Sequence, residues 1–286
     1  MTAIRRRLTP YGLALPGGAW LAIFFVVPLI TVLSLALQTG NPDTGYTLTW
    51  NFGEFSNVLS QYHTQFLRSF EYGAISTAIA FVVAYPMAYW IAFHGGRHKS
   101  TYLFIILLPF FVSFVIRTLA WQFILSDNGI VLGTLKNIGI LPSSVHVLST
   151  PFAVIAGLTY NALPFMALPL YVSIEKIDRG VVRAAEDLYA SSTAAFVRVV
   201  LPLSSAGIFA GSLLVFVTNV GDYVNASILG GPGTTMIGNV IETSYLENLD
   251  YPTASALSSI LMAALLIVIW LYARSFGTSA VEEAVT

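Results

Sequence analysis

The sequence predicts an all-α membrane protein with six transmembrane helices, and its composition is the first reason. Hydrophobic residues make up 56% of the 286 residues, whereas charged residues make up only 9%. A soluble domain is roughly 45–50% apolar and about 25% charged, so lipid is the predicted solvent for most of this chain. The net charge of -1 gives no basic excess for binding nucleic acid. The lack of cysteine excludes disulfides, thiolate metal sites and a cysteine nucleophile.

Continuous apolar runs are the second reason. A bilayer core of about 30 Å is crossed by a helix of about 20 apolar residues, and six stretches of the chain reach that length. The predicted spans, first to sixth, cover residues 11–37, 70–93, 101–125, 150–174, 206–229 and 253–274. Prolines inside or near the spans predict kinks, at Pro28, Pro86, Pro109, Pro164 and Pro169. No internal repeat is visible, so a single domain, 1–286, is predicted.

The distribution of basic residues predicts the orientation. Three arginines, 5–7, precede the first apolar run, which is too long for the roughly 7–15-residue core of a cleaved signal peptide and is therefore predicted to be retained. With the N-terminus inside, the inner segments hold ten of the 13 Lys and Arg residues, and the outer segments hold only Arg68 and Lys136. Because basic residues concentrate in cytoplasmic loops, both termini are predicted to be cytoplasmic.

The segment 175–205, between the fourth and fifth spans, is charged and rich in alanine. After a predicted helix N-cap at Asp178, apolar side chains recur at α-helical spacing, at Val181, Val182, Ala185, Leu188 and Tyr189. Residues 191–193 predict a break and a new N-cap before a second short helix, 194–200. An amphipathic helix on the membrane surface is the common form of such a loop. A docking helix for another protein is the alternative, favoured by an apolar stripe too short and alanine-rich to bind lipid well.

Two charged residues near the third and fifth spans are candidate functional residues. Arg117 lies within the third span, where a charge costs about 2.5–3.5 kcal/mol on insertion scales. Its predicted partner is Asp222. A structural ion pair with Asp222, or hydrogen bonds from Arg117 to backbone carbonyls freed at kinks, is one interpretation, and a gate or scaffold role for Arg117 is another. The Asp222 carboxylate suits an ammonium group. Further polar and cation–π contacts along such a path are predicted, at Tyr223, Asn225, Tyr160, Asn161 and Trp121, although packing or interfacial roles are the alternative for the aromatic residues.

The motifs of an enzyme are missing from the sequence. No G-x-x-x-x-G-K-[ST] occurs, and the glycine-rich stretch 230–235 lacks the lysine of a phosphate-binding loop. No Ser–His–Asp arrangement or histidine spacing for a metal is apparent. We therefore predict no catalytic residue, no metal and no cofactor in this chain. The residues leave two classes open: a membrane subunit that a partner drives, or an ATP-independent secondary transporter or channel for a small cation.

The stretch RAAEDLYASSTAAFVRVVLPL, 183–203, resembles the "EAA" loop of ABC-importer permease subunits. That loop reads E-A-A, three residues, G, nine residues, I-x-L-P; here Arg183 stands at the first position and Tyr189 at the glycine. LPFFVSFVIRTLAWQFILSDNGI, GDYVNASILGGPGTTMIGNVI and DYPTASALS are similar to the spermidine/putrescine branch of these permeases. The resemblance covers roughly residues 10–275.

The resemblance implies the ABC importer (type I) permease fold in the bacterial cytoplasmic (inner) membrane, with a cytoplasmic coupling helix in the 178–200 loop. It implies a polyamine as substrate, another small solute being the alternative. The implied partners are a paralogous permease subunit, an extracytoplasmic solute-binding protein and two ATPase subunits that hold ATP and Mg. The residues that it assigns to ATPase coupling are Arg183, Ala184, Ala185, Glu186, Asp187, Leu188, Tyr189 and Ala190.

Overall fold

The computed structural model describes residues 15–187 and 191–285, most of which are helical. The first elements are α1 (Leu15–Ala36), β1 (Gln38–Asn41), β2 (Gly45–Leu48), α2 (Gly53–His94), α3 (Lys99–Leu107), α4 (Phe114–Leu125) and α5 (Leu132–Asn137). They are followed by α6 (Pro151–Glu175), α7 (Arg179–Asp187), α8 (Ser192–Leu203), α9 (Ser205–Val220), α10 (Val224–Leu229), α11 (Ile237–Glu242) and α12 (Tyr251–Val285). Short 3₁₀ or π turns interrupt or extend these helices, at Ala22–Val26, Gly96–His98, Leu108–Phe111, Phe196–Val200, Pro232–Thr234 and Thr243–Glu247.

The predicted number of transmembrane helices is confirmed. Within the described residues, α1, α2, α6 and the Tyr251–Arg274 part of α12 are each long and apolar enough to cross a bilayer alone. Two bent pairs bring the number to six: Gly96–Phe111 with α4, bent by 89°, and α8 with α9, bent by 66°. Two of the six spans are therefore broken helices, which a smooth apolar run does not reveal.

The breaks have local causes. Before α4, Val112 and Ser113 are extended, with ψ angles of 139° and 137°, shortly after Pro109, whose nitrogen cannot donate a helical hydrogen bond. Between α8 and α9, Ser204 leaves the helical region with φ -91° and ψ 7°, two residues after Pro202. Helix α2 begins at Gly53, 17 residues before the predicted second span. The first turns of α2 carry polar side chains, which lower the hydropathy there and hide the start of the helix.

The chain forms two compact units, and the first comprises the described residues up to His63 together with Ile241–Ala263. Strands β1 and β2 pair antiparallel in it, with Gln38 opposite Leu48. Tyr46 donates a hydrogen bond from its hydroxyl to the Leu249 carbonyl. Its ring centroid lies 5.3 Å from that of Tyr251. The prediction of a single domain stays a prediction.

The second unit comprises Thr64–Val240 and the residues from Ala264 onward. Its core consists of small side chains of α2 against larger ones of α6, at Ala80, Ala84, Ala88, Met166, Leu170 and Ile174. Helix α9 packs closely on α6 through Gly207 and Gly211, four residues apart. A Cβ at Gly207 would lie 2.6 Å from the Pro169 carbonyl oxygen, and one at Gly211 3.0 Å from Met166 Sδ. Such small-xxx-small spacing lets membrane helices approach closely.

Candidate functional site

Three polar side chains from different helices are buried together in the second unit: Thr118 of α4, Asn161 of α6 and Asn225 of α10. We call them the polar cluster. Asn225 Oδ1 accepts hydrogen bonds from Asn161 Nδ2 at 3.1 Å and from Thr118 Oγ1 at 3.3 Å. Asn161 Nδ2 also donates to Thr118 Oγ1 at 3.2 Å. The cluster therefore fixes three helices relative to one another through uncharged groups.

Asp222 joins the polar cluster through Asn225 rather than through Arg117. Its Oδ1 accepts a hydrogen bond from the Asn225 backbone N–H at 2.8 Å, and its Oδ2 accepts from Asn225 Nδ2 at 3.2 Å. The carboxylate thereby binds the first turn of α10 through both the backbone and the side chain of one residue. Asp222 thus holds α10 and its asparagine in place.

Arg117 does not form the ion pair with Asp222 that one interpretation of the sequence predicted. The ion pairs within the described residues are Lys99–Glu175, Lys136–Asp127 and His146–Asp127. Arg117 is only 7% exposed, and its Cζ lies 5.7 Å from the centre of the Phe114 ring. Its Nε and Nη1 are buried without a hydrogen-bond partner, as is Asn161 Oδ1. The Asp222 carboxylate is bound by Asn225 instead.

The predicted aromatic residues separate into a buried pair and an exposed side chain. Trp121 of α4 and Tyr160 of α6 meet edge to face, with ring centroids 5.5 Å apart, and both are partly buried. Tyr223 is 45% exposed, and it is its backbone carbonyl that accepts a hydrogen bond, from Asn239 Nδ2 at 2.8 Å. The Trp121–Tyr160 pair lies on the same two helices as Thr118 and Asn161.

Other polar residues that the sequence analysis missed support the same helices. Thr118 follows Arg117 directly, and Gln122, one helical turn further along α4, donates to the Ile228 carbonyl of α10 at 3.2 Å. Asn239 donates to Ser227 Oγ at 2.7 Å and accepts from the Met236 N–H at 3.0 Å. A polar residue every four positions along an apolar helix is the sequence signal that would have identified Thr118 and Gln122.

A glycine makes room for the polar cluster. A Cβ on Gly157 of α6 would lie 2.7 Å from Asn225 Oδ1 and 2.4 Å from Leu229 Cδ1, closer than real Cβ atoms approach. Asn225 therefore reaches Asn161 only because position 157 has no side chain.

A charged group lies in the segment between α4 and α6. Asp127 accepts from Lys136 Nζ at 2.8 Å and contacts His146 Nδ1 at 2.6 Å. Hydrogen bonds from Lys136 and then from His146 hold the pKa of the Asp127 carboxyl below its usual range. No group of three or more His, Asp or Glu side chains in residues 15–187 and 191–285 could hold a metal ion.

The predicted coupling segment contains two helices. Asp178 Oδ1 accepts from the Gly180 N–H at 2.8 Å at the start of α7, and Ser191 Oγ accepts from the Ala194 N–H at 3.2 Å at the start of α8, as the predicted caps require. Arg183, Ala184 and Asp187 are exposed on α7, and Ala185 is partly buried. Of the other assigned residues, Glu186 belongs to α7, and Leu188, Tyr189 and Ala190 lie outside the described residues.

Both ends of this segment are hydrogen-bonded to α2. Arg179 Nη2 donates to the Ala92 carbonyl at 2.9 Å, and its Cζ lies 5.6 Å from the centre of the Phe93 ring. The carbonyls in the last turn of a helix have no partner within the helix, so Arg179 caps the end of α2. At the bend before α9, the Ser204 and Tyr85 hydroxyls lie 2.8 Å apart.

Two further features surround α7. Lys99 Nζ lies 2.7 Å from Glu175 Oε1 and 2.8 Å from Oε2, joining the start of α3 to the end of α6. A cavity of about 560 Å³ opens beside α7, with Val181, Val172 and Gly207 among its lining residues. Helix α7 is thus attached at its first residue and has space beside it.

Comparison with known proteins shows which family the chain resembles. Residues 81–276 match the model of the binding-protein-dependent transport system inner membrane component. The chain is 34% identical over 258 residues to the spermidine/putrescine transport system permease protein PotB of Haemophilus influenzae, covering 90% of both chains. It is 32% identical over 259 residues to PotB of Escherichia coli K12, covering 89% of this chain and 94% of the relative.

Solved structures have the same fold. A bacterial ABC transporter involved in the import of the acidic polysaccharide alginate matches with a TM-score of 0.70, 21% identity and coverage of 96% of both chains. The MetNI methionine ABC transporter in an inward-facing conformation matches with a TM-score of 0.54 and 17% identity, over 78% of this chain and 95% of that one. At these identities the likeness concerns the fold alone.

Proposed function

The chain belongs to the family of binding-protein-dependent transport system inner membrane components, and from this we propose that it is the transmembrane permease subunit of an ATP-driven polyamine importer. The similarity to spermidine/putrescine permeases along nine tenths of both chains carries this proposal. The substrate class is spermidine, putrescine or a related polyamine. Polar groups buried across α4, α6 and α10 support a transport role. Such groups are costly within a membrane, and where they occur they commonly mark the path of a substrate or ion.

We assign the complete transporter four kinds of subunit: this permease, a paralogous permease, two cytoplasmic ATPases and an extracytoplasmic solute-binding protein. The family description and the crystal structure of the alginate transporter in complex with its periplasmic protein support such partners. ATP and Mg would be held by the ATPase subunits, in keeping with a sequence that has no G-x-x-x-x-G-K-[ST] motif.

The polar cluster would lie along the path of the solute. Asn161 Oδ1 is a buried acceptor without a partner, and an ammonium group offers three donors. The faces of Trp121 and Tyr160 attract cations. Asp222 would contribute negative charge while it holds Asn225.

Arg117 repels a polyamine, so we assign it a gating role. A buried guanidinium beside the polar cluster forms an electrostatic barrier to small cations, as arginine does in other selective pores. The barrier would keep the resting transporter from leaking ions. Its Nε and Nη1 are then available for an acceptor that arrives when the path opens.

Helix α7 would seat in a cleft of the ATPase, with both termini of the permease on the same, cytoplasmic side of the inner membrane. The excess of basic residues in the predicted inner segments supports this orientation. Movement of α7 would pass into α2 through Arg179 and Ala92, while Ser204 and Tyr85 connect the bend before α9 to the same helix. The cavity beside Val181 leaves room for the movement.

Copurification and uptake test the proposal. Expressed with its neighbouring genes, the chain should copurify with a nucleotide-binding subunit, and proteoliposomes of the complex should take up radiolabelled spermidine or putrescine only with the binding protein and ATP. Uptake by the permease without the ATPase would instead establish an ATP-independent transporter. ATP-dependent uptake of another small solute, but of no polyamine, would retain the permease and refute the substrate class.

Charge reversal in α7 tests the coupling assignment. Glu186→Lys combined with Asp187→Lys should leave the chain in the membrane but separate ATP hydrolysis from uptake. A double reversal outside α7, Glu242→Lys combined with Glu247→Lys, should leave the ratio of uptake to hydrolysis unchanged. Normal uptake in the α7 variant would contradict the assignment.

A further inference from the structure

A groove runs along the surface of the second unit between the last turns of α2 and helix α3. Its volume is about 430 Å³, and its lining is aliphatic and aromatic. Because α2 ends at His94 and α3 begins at Lys99, the groove starts beside the turn that joins them. It runs from Trp90 and Tyr102, next to the turn, to Pro86 and Ile106 deeper along the two helices.

The turn at the mouth of the groove carries an unneutralised positive charge. Arg97 is exposed and forms no ion pair within the described part of the chain, whereas the nearby Lys99 is paired with Glu175. Arg97 Nε donates to His98 Nε2 at 3.2 Å. A neutral histidine whose Nε2 accepts carries its proton on Nδ1, so His98 offers a second donor. The His98 ring centroid lies 6.4 Å from that of Tyr102, which lines the groove.

We propose that this groove, with Arg97 at its mouth, binds one anionic phospholipid. An acyl chain would lie along Met87, Trp90 and Ile105, and the phosphate would accept hydrogen bonds from Arg97 and His98. Trp and Tyr favour the depth at which lipid head groups meet acyl chains, and the edge-to-face pair of Trp90 and Tyr102, 5.1 Å between centroids, lies at that end of the groove. The proposal requires that the chain spans a membrane, but it does not depend on which solute is transported.

Charge selects an anionic head group over a zwitterionic one. A basic residue near the membrane surface contributes about 1 kcal/mol to attraction for anionic lipids, and a guanidinium fits a phosphate through paired hydrogen bonds. Arg274 provides an internal comparison. It too lies near a tryptophan, with its Cζ 5.5 Å from the centre of the Trp270 ring, but neither residue lines the groove.

Native mass spectrometry of the complete transporter tests the head-group contact. The purified complex would be titrated with phosphatidylglycerol and, separately, with phosphatidylcholine, and the apparent Kd of the first retained lipid measured. The wild type should prefer phosphatidylglycerol. Arg97→Ala should weaken its binding about fivefold, as expected for one basic residue, whereas Arg274→Ala, with the same charge change, should weaken it less than twofold.

A second pair of variants tests the groove without changing charge. Ile105 and Ile267 are both 58% exposed, but only Ile105 lines the groove. Ile105→Trp should fill it and weaken phosphatidylglycerol binding about as much as Arg97→Ala, while Ile267→Trp should have no effect. Equal weakening by Arg97→Ala and Arg274→Ala, no preference between the two lipids, or unchanged binding in Ile105→Trp would each overturn the proposal. The proposal would also be overturned if the groove retained no lipid and a cross-linker placed in it reacted with the second permease subunit, since that subunit would then occupy the groove.

Discussion

The polar cluster and the charged contacts at and around α7 use opposite kinds of interaction. Thr118, Asn161 and Asn225 are buried and bonded through uncharged groups. Arg179, Lys99 and Glu175 make charged contacts at the ends of helices, and the Lys99 and Glu175 side chains are 19% and 39% exposed. A buried polar group that loses its partner costs about 1–3 kcal/mol, whereas an exposed ion pair contributes about 0–1 kcal/mol. The cluster therefore fixes a geometry, and the charged contacts of α7 and of the neighbouring ends of α3 and α6 can yield during a conformational change.

The largest expected effect is at Asn225. Asn225→Leu removes the acceptor of Asn161 Nδ2 and Thr118 Oγ1 and the side-chain donor to Asp222 Oδ2, whereas the backbone donor to Asp222 Oδ1 remains. We expect the permease to lose about 1–3 kcal/mol of stability and uptake to fall at least tenfold. Thermal unfolding of the purified complex and initial uptake rates would measure both. Asn248→Leu, at an exposed asparagine, is the control, and equal effects of the two changes would contradict a special role for the cluster.

Arg117 tests whether a buried charge is kept for function at the expense of stability. Arg117→Leu removes a guanidinium with two buried, unpartnered nitrogens, so we expect the complex to unfold at a higher temperature. The gain in stability should be at most the insertion cost of such a charge, about 2.5–3.5 kcal/mol. Loss of the barrier should raise potassium leak through proteoliposomes severalfold. Arg198→Leu, at an exposed arginine, should change neither quantity. A destabilised variant without added leak would refute the gating role.

Arg179→Gln is expected to have a smaller effect, on coupling rather than on folding. The glutamine side chain is shorter and uncharged, so it would lose the hydrogen bond to the Ala92 carbonyl and the favourable interaction of a positive charge with the C-terminal end of α2. The link to Ala92 should therefore weaken by about 1 kcal/mol. Uptake should fall about threefold to tenfold while ATP hydrolysis stimulated by the binding protein persists, and their ratio is the measurement. Arg274→Gln, at an exposed arginine outside the 178–200 loop, is the matched control. If hydrolysis and uptake fall together, Arg179 contributes to assembly rather than to transmission.

The sequence predicts these two regions unequally. Apolar runs locate the spans because about 20 residues must cross the bilayer, and α6, Pro151–Glu175, nearly coincides with the predicted fourth span. The caps at Asp178 and Ser191 are local and were also predictable. Of the polar cluster, Asn161 and Asn225 were predicted and Thr118 was not, since its contact with Asn225 joins residues 107 positions apart in the chain. The 89° break before α4 comes from the extended backbone of Val112 and Ser113 shortly after Pro109, which hydropathy does not record.

The smallest expected effect is at the pair Lys99–Glu175, and its dependence on salt sharpens the comparison. Because both side chains are partly exposed, Glu175→Gln should cost at most about 1 kcal/mol, and 1 M salt, which reduces the screening length to about 3 Å, should remove most of that difference. The effect of Asn225→Leu should change little with salt, because its bonds are buried and salt screens buried interactions much less than exposed ones. Thermal unfolding of both variants at low and high salt measures this, with Lys99→Met plus Glu175→Gln as a double variant. A salt-independent loss at Glu175 would mean that this pair, too, is a fixed structural contact rather than one that yields when α7 moves.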